Sequence, residues 1–428
     1  MMNKTVLIIT DEYPPDKSGR SEKIWRRVYY LTQDGWNINI LAPVSAAAPE
    51  HMTPETVNGQ IVTVYRTGYM FQNQWPSLKH QKDRPIQTTG KNSWAKLLDF
   101  LFVPKGYVRW LPYAVARGHE LARSADVILS VSNPIGLHLV AMGLKRLTRT
   151  PWIAEFRDAL VNYQYSSRGP EQINRRIERL IVANADVILQ WDDAIAEPIS
   201  ERYPPKFAHK FRRLFPIGYD PIKFQNYPPG YHSDPSSPLK ISYTGLFHGD
   251  AIVPIYFLEG LSRIIHEQQL LPSQIQVRFA GSWLSKYDHL LKELGLTEFV
   301  SYCGWLSHEE CVDLWQDSDV LLMILGETET ETGILPTKLW DYIASQRYIF
   351  CLAPPTCRTA DYIRRMNIGI ISAPKDIDDI AVAIKRLLAE RYPNNLGFQP
   401  DEDMIASVSC INMEQEIAQI LDATAVPA

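Results

Sequence analysis

Lys338 and Asp341 fall in the stretch TETETGILPTKLWDYIASQR, Thr328 to Arg347. Proline is favoured in the first turn of a helix, where its missing N–H costs nothing, so a helix is predicted to start near Pro336. That puts Lys338 in the first turn and Asp341 one turn on, and residues three apart share a helix face. An ammonium group and a carboxylate would then look toward one ligand. Phosphate suits Lys338, aided by the unpaired N–H groups and partial positive charge of a helix start, and hydroxyls suit Asp341. A solvated ion pair on an ordinary helix is the other reading, and these residues alone leave both open.

Further candidates stand where short apolar runs end. In PWIAEFRDALV, Glu155, Arg157 and Asp158 close a strand-like run. Buried charge must be paired, so they form either an Arg157–Asp158 structural pair or a catalytic and acceptor-binding group. In DEYPPDKSGRSEK, Gly19 can bring the backbone close to a ligand and Arg20 can meet an anion; a plain strand-to-helix connection explains them equally. In YTGLFHGD, Gly245 and Gly249 would let N–H groups approach a phosphate. His248 stands within reach or is an exposed bystander. Asp192 and Asp193 in QWDDA look like a cation-binding acidic pair, but their place at the start of a helix suits capping. No metal is expected. Absence of GxGxxG and GxxxxGK[ST] patterns removes support for NAD enzymes and P-loop ATPases.

These residues need rigid carriers. TVLIIT reads as a buried strand, SEKIWRRVYYLTQDG as a helix with Ile24, Val28 and Leu31 on one face and Gly35 as its stop, and WNINILA as a strand. Strand, helix, strand implies a parallel sheet with helices on its faces. ADVILS, ADVILQ and SDVLLMI are near copies that enter short buried strands, too irregularly spaced for a solenoid. Between Pro216 and Pro238 lie six prolines, a linker pattern. Beyond it KISYTG, QVRFAG, VSYCG, YIFCLA and IGIISA open a second series. Ser307 and Glu310 form a capping box, and NMEQEIAQILDATA is an amphipathic helix. The expected organisation is residues 1–215, a hinge at 216–239, a second domain at 240–410 and a helix at 411–428, which can return to the first domain. Two doubly wound Rossmann-like α/β domains would face each other across a cleft, with ligands at the carboxyl ends of the strands.

Composition sets bounds on partners. With 428 residues, 45% hydrophobic and 21% charged, the chain is an ordinary globular sequence long enough for two domains. A net charge of −4 gives no global field for nucleic acid. Five cysteines without CxxC spacing fit free thiols in a reducing compartment. The first apolar run is too short for a signal peptide or a membrane span, so a cytoplasmic protein is expected. Residues 92–118, aromatic and basic with Trp94, Lys96, Lys105, Arg109 and Arg117, would suit peripheral contact with the inner membrane face or a lipid-linked acceptor. A core helix with a surface loop is the alternative.

In this arrangement the chain resembles the family-4 glycosyltransferases of the GT-B fold over nearly its whole length. The carriers are the opening VLIITDEYPPDKSGRSEKIWRRVYYLTQDGWNINILA, the E-x-RD segment WIAEFRDA, LFPIGYD, and the run from VRFAGSW to DVLLMIL. TETETGILPTKLWDYIA is similar to the family's G-x-x-P-[ST]-K-x-x-[ED]-Y donor helix, matched by Gly333, Pro336, Thr337, Lys338, Asp341 and Tyr342. The resemblance implies transfer of a hexose, with retained configuration and no metal or other cofactor. A nucleotide diphosphate sugar is the donor, and a sugar, lipid-linked or small-molecule hydroxyl is the acceptor. It implies that Lys338, Thr337 and the helix start bind diphosphate, and that Asp341 accepts hydrogen bonds from ribose. The Gly333 loop would meet the sugar, Gly245 and His248 would line the donor site, and Gly19 with Arg20 would support phosphate. Asp158 or Glu155, beside Arg157, would orient acceptor or sugar. Two departures stand out. The first of the family's paired carboxylates falls at Gly333, with Glu331 two residues upstream. The cations expected after Gly245 are also absent, which leaves Arg20 or Arg278 as substitutes. Competing readings are a non-catalytic sugar-nucleotide-binding or scaffold protein and a sugar-nucleotide epimerase.

Overall fold

The computed structural model describes residues 4–16, 18–45, 47–48, 52–69, 109–132, 134–157, 171–191, 199–214, 218–226, 237–247, 252–327, 335–390 and 400–425. The chain divides into two compact units: Met1–Phe215 with Ile411–Ala428, and Pro216–Cys410.

The first unit opens with β1 (Thr5–Ile9), α1 (Gly19–Gln33) and β2 (Asn37–Pro43). Four of the five β1 residues are buried, as expected of a strand covered on both faces. Helix α1 starts at the N-cap Ser18, whose side chain accepts from the Ser21 N–H, and stops before Gly35 at φ +83°. Next come β3 (Met52–Val57) and β4 (Gln60–Thr67), α2 (Leu111–Ser124), β5 (Val127–Val131), α3 (Gly136–Thr148), β6 (Trp152–Phe156), α4 (Glu171–Asn184), β7 (Val187–Trp191) and β8 (Phe211–Leu214). The sheet order is β3-β4-β2-β1-β5-β6-β7-β8, parallel except for the β3–β4 hairpin at one edge. The hairpin turns at Asn58 and Gly59, both at positive φ. The sequence reading missed it because MTPETVNGQIVTVYRT alternates weakly and carries a proline, which edge strands tolerate.

The second unit holds β9 (Leu239–Gly245), α5 (Ile255–Gln268), β10 (Ile275–Gly281), α6 (Ser285–Glu293), β11 (Val300–Tyr302), α7 (His308–Gln316), β12 (Val320–Ile324), α8 (Thr337–Ala344), β13 (Tyr348–Leu352), α9 (Arg358–Arg365), β14 (Gly369–Ser372), α10 (Ile377–Glu390) and α11 (Glu402–Ser407). Its sheet is wholly parallel in the order β11-β10-β9-β12-β13-β14. From β9 the chain steps outward to β10 and β11, then crosses back to β12 on the other side of β9. That reversal opens a crevice beyond the carboxyl ends of β9 and β12, where doubly wound sheets bind ligands. The expected capping box is present at Ser307 and Glu310. Helix α12 (Cys410–Thr424) closes the chain's path by packing in the first unit.

Part of the expected hinge at 216–239 is folded instead. Asp220 caps a short 3-10 helix, Pro221–Phe224, with proline in its first turn. Tyr219 bridges Ser409, and β9 already begins at Leu239. Proline at a helix start is compatible with order, so proline density alone overstated the linker. Of the 92–118 stretch, Arg109–Gly118 is described. Trp110 is fully buried and its indole N–H donates to Thr67 Oγ1 at 2.7 Å, and Ala114 and Gly118 are buried with it, while Tyr113 and Arg117 on the other side of the helix are exposed. No described helix is long and apolar enough to cross a membrane.

Candidate functional site

At the carboxyl end of the second unit's sheet lies a cavity of about 620 Å³. Its walls come from the ends of β9 (Thr244, Gly245), β10 (Ala280, Gly281) and β12 (Ile324, Leu325), from α7, and from the head of α8. Two glycines shape the floor. Gly245 and Gly281 have φ +144° and +113°, and a Cβ on Gly281 would stand 2.1 Å from the Gly245 carbonyl oxygen. Neighbouring strand ends therefore meet backbone to backbone, with the Ser282 N–H donating to that carbonyl at 3.1 Å. Side chains from the two helices lock onto the end of β9. Trp315 Nε1 donates to Thr244 Oγ1 at 3.1 Å, and the Tyr342 hydroxyl lies 3.3 Å from the same oxygen.

Helix α8 starts at Thr337 after an extended Pro336, so Lys338 occupies the first turn and Asp341 the next, and both line the cavity. Among the described residues no carboxylate pairs with Lys338. Its ammonium lies 4.4 Å from the centroid of the Tyr243 ring, and a Cβ at Gly245 would be 3.3 Å from Nζ. Only part of the side chain reaches solvent, and crowding by protein pushes its pKa from 10.5 down to about 8. The solvated ion pair is therefore not what forms. A cation is held by a π-face at the start of a helix, where N–H groups already favour negative charge. Asp341 is engaged differently, since its charge is felt by Lys223, Cys311 and Tyr342. Burial and Lys223 hold His308 down at about 4, so the imidazole lining the cavity is neutral at pH 7. Burial, helped by Asp341 and Glu310, raises the Cys311 thiol to about 11. Lys338 is thus the charged donor of the described lining.

The first unit gathers a second set of charges. Glu155, on β6, is fully buried. Arg27 of α1 donates to it, and Arg157 donates at 3.1 Å. Arg27 also donates to Glu414 of α12 at 2.7 Å. Burial pushes the Glu155 pKa up, but Arg27 and Arg157 outweigh it and hold the carboxyl below its usual range. The Arg157 guanidinium lies 4.7 Å from the Trp191 ring centroid. Arg157 therefore pairs with Glu155, and the expected partner Asp158 lies outside the described residues. Gly19 is the first residue of α1, and a Cβ there would meet nothing within 4 Å. Arg20 is paired with Asp11 and Glu12, each at 2.8 Å. Burial raises Asp11 to about 6 against the pull of Arg20. Arg278 donates to Asp317 at 2.6 Å and to Ser242 and Ser318. Each of the two arginines that could stand in for the missing cations is thus ion-paired, Arg20 with two carboxylates and Arg278 with one.

Among the sequence candidates the structure brings Gly245, Thr337, Lys338 and Asp341 around one cavity. Glu155 and Arg157 meet in the first unit, where Gly19 and Arg20 also lie. Asp158, His248, Glu331 and Gly333 lie outside the described residues, as do Asp192 and Asp193. Sequence reasoning missed Tyr243, Gly281, Arg27 and Glu414. Two of these carried a signal: Arg27 falls in the Ile24–Val28–Leu31 stripe, and Glu414 in the Met413–Ile417–Leu421 stripe, where a charge requires a buried partner.

No protein-family model matches the sequence, and no curated protein matches it. Solved structures do match in fold. Sucrose-phosphate synthase from Thermosynechococcus elongatus aligns with a TM-score of 0.58 at 14% identity, covering 98% of this chain and 99% of that one. Anabaena HepE in complex with UDP gives 0.59 at 12% identity, covering 98% and 100%. Trehalose-6-phosphate synthase OtsA gives 0.60 at 13% identity, covering 99% and 100%. The chain has the GT-B fold of these proteins along nearly its full length.

Proposed function

We propose that the protein is a glycosyltransferase that moves a hexose from a nucleotide diphosphate sugar to a hydroxyl acceptor, with retained configuration, in polysaccharide, glycolipid or glycoside assembly. The supporting observation is Lys338: a cation without a carboxylate partner among the described residues, at the head of a helix, lining a cavity at a topological switch point. A diphosphate there would receive the ammonium and the first-turn N–H groups, and the glycine-ended strands leave room for it. As the glycosidic bond breaks, negative charge grows on the departing diphosphate, and fixed positive charge stabilises that change. Asp341 would accept hydrogen bonds from ribose hydroxyls. Structures of the same fold hold UDP and UDP-glucose in HepE, which supports a uridine nucleotide as the first donor to try. Retention rests on the sequence resemblance and is read from the anomeric NMR signal of the product.

Thermal shift across nucleoside diphosphates, followed by turnover with the sugar form of the best binder, tests the proposal. Lys338→Ala should abolish turnover and weaken nucleotide binding; unchanged kinetics refute it. One observation favours a second reading, sugar-nucleotide binding without catalysis. Lys338 is the lone lysine or arginine among the described residues lining the cavity, a small charge for a diphosphate. Tight binding with no release of free nucleotide, across an acceptor panel, would select it.

A further inference from the structure

The first unit has a switch point of its own. From β1 the chain steps outward to β2, and after the β3–β4 hairpin it crosses back to β5 on the other side of β1. Such a reversal leaves a crevice beyond the carboxyl ends of β1 and β5, the place where a doubly wound sheet takes a ligand. The connection from β1 to α1 starts there. Its residues Asp11 and Glu12 are each 8% exposed, and both hold Arg20. Arg157, just past the end of β6, is close enough for Asp11 to feel its charge.

That connection cannot secure itself. Pro14 and Pro15 bring no N–H, and carbonyl groups drawn inward need a donor from elsewhere. The β3–β4 hairpin supplies it. Arg66, near the end of β4 and 5% exposed, donates through Nη2 to the carbonyls of Tyr13 at 2.8 Å and Pro14 at 2.9 Å. Its Nη1 reaches the Pro43 carbonyl at 3.3 Å and the Asp16 carboxylate at 3.5 Å. From β3, Glu55 accepts from the hydroxyl of Tyr13, which is fully buried. The hairpin does not need this arginine for its own attachment, since β4 pairs with β2 from Val62 to Thr67. A buried guanidinium is costly unless its donors are met, and three of its four acceptors belong to the β1–α1 connection.

We propose that Arg66 is a positioning residue for the ligand of the first unit. Its contacts with Tyr13 and Pro14 set the course of the β1–α1 connection, and so fix where Asp11, Glu12 and Arg20 stand at the switch point. The inference rests on the transferase reading in one respect, that the ligand here is the hydroxyl acceptor. Asp11 and Glu12 can accept hydrogen bonds from its hydroxyls, and Arg20 can donate to its oxygens. Lysine at position 66 is no equivalent. An ammonium is a point donor on a flexible stem, whereas the planar guanidinium holds two carbonyls of the connection and one of β2 in fixed directions at once.

Two measurements on the intact chain test it, with Arg66→Lys as the mild variant and Arg66→Ala as the severe one. Hydrogen exchange at the amides of Tyr13 and Asp16 should speed up about tenfold or more in Arg66→Lys, the factor expected when a hydrogen bond from a charged group is lost. Amides of β9 and β12 in the second unit should not respond. In steady-state assays, kcat/KM for the acceptor should fall about a hundredfold in Arg66→Ala, mainly through KM, as for a group misplaced by about 1 Å. Arg66→Lys should fall between. Nucleotide affinity, read by calorimetry, should stay as it is. Partial unfolding behaves differently, since it lowers the number of working molecules and thus kcat, with KM untouched. Arg202→Ala, which breaks the ion pair with Glu178 on α4, is the control for that pattern. Unchanged exchange along the connection, an unchanged acceptor KM, or an equal loss of nucleotide affinity would each overturn the proposal. Exchange needs no substrate, so a chain that transfers no sugar defeats the transferase reading, while the exchange result still decides whether Arg66 anchors the connection.

Discussion

Replacing Lys338 by methionine should make the protein more stable while it destroys nucleotide binding. Methionine keeps the unbranched stem and removes the charge. In the folded protein the ammonium has a pKa of about 8, against 10.5 when solvated. At about 1.4 kcal/mol per pH unit, that drop corresponds to roughly 3 kcal/mol of destabilisation. Partial exposure of the side chain and loss of the Tyr243 contact reduce the expected gain to about 2 kcal/mol. The cost has a definite pH window. Below pH 8 the lysine is charged in both folded and unfolded chains, and the folded state bears the full penalty. Between 8 and 10.5 the folded protein has shed a proton that the unfolded chain keeps, so stability rises with pH; above 10.5 the penalty is gone. Urea denaturation of both proteins at pH 7 and pH 10 should show a gap that shrinks at the higher pH. Calorimetry adds a second reading. A diphosphate bound at pH 8 should restore the ammonium form and draw about half a proton per site from the buffer, seen as a dependence of the binding heat on buffer ionisation. A less stable variant, a gap indifferent to pH, or binding without proton uptake would refute the reasoning.

Glu414→Ala should cost about 3–5 kcal/mol in denaturant unfolding, because it strips a buried carboxylate from Arg27; a loss under about 1 kcal/mol would mean water replaces it. Gly281→Ala should destabilise by about 3 kcal/mol or more, since the new Cβ meets a backbone oxygen and φ is +113°, and the urea midpoint reports it. His138 is fully buried and held down at about 3 by burial. The unfolded chain therefore takes up a proton below pH 6.5 that the folded one refuses, and stability should decline from there toward pH 3. In His138→Gln that part of the acid sensitivity should vanish; an unchanged acid midpoint would assign it to other groups.

Strands and helices were legible where burial is two-sided. ADVILS, ADVILQ and SDVLLMI became β5, β7 and β12 because runs of three to five successive apolar, mostly branched residues after a polar entry admit few alternatives. The β3–β4 hairpin was not legible, since an edge needs little hydrophobic signal. At the site, proline before Thr337 located the helix head and hence Lys338, a purely local inference. Tyr243 could not be read, because nothing in one sequence says which ring of β9 will meet an ammonium of α8. Arg20 and Arg278 show how pairing escapes a sequence reading: Asp11 and Glu12 of its own loop stretch hold the first, and Asp317, 39 positions on, holds the second. A formal charge in a sequence is only a candidate until its neighbours are known.

Helix α12 joins the first unit after the whole second unit has intervened, and Glu414 lies 387 positions from its partner Arg27. During synthesis the first lobe must therefore hold two arginines around Glu155 without their second carboxylate for as long as the second lobe takes to emerge. At about 5–20 residues per second, translation of the intervening stretch lasts some tens of seconds. A nascent chain stalled before residue 411 would carry an uncompensated buried cation and should be an open, chaperone-bound species, whereas the second lobe has by then all of its own sheet.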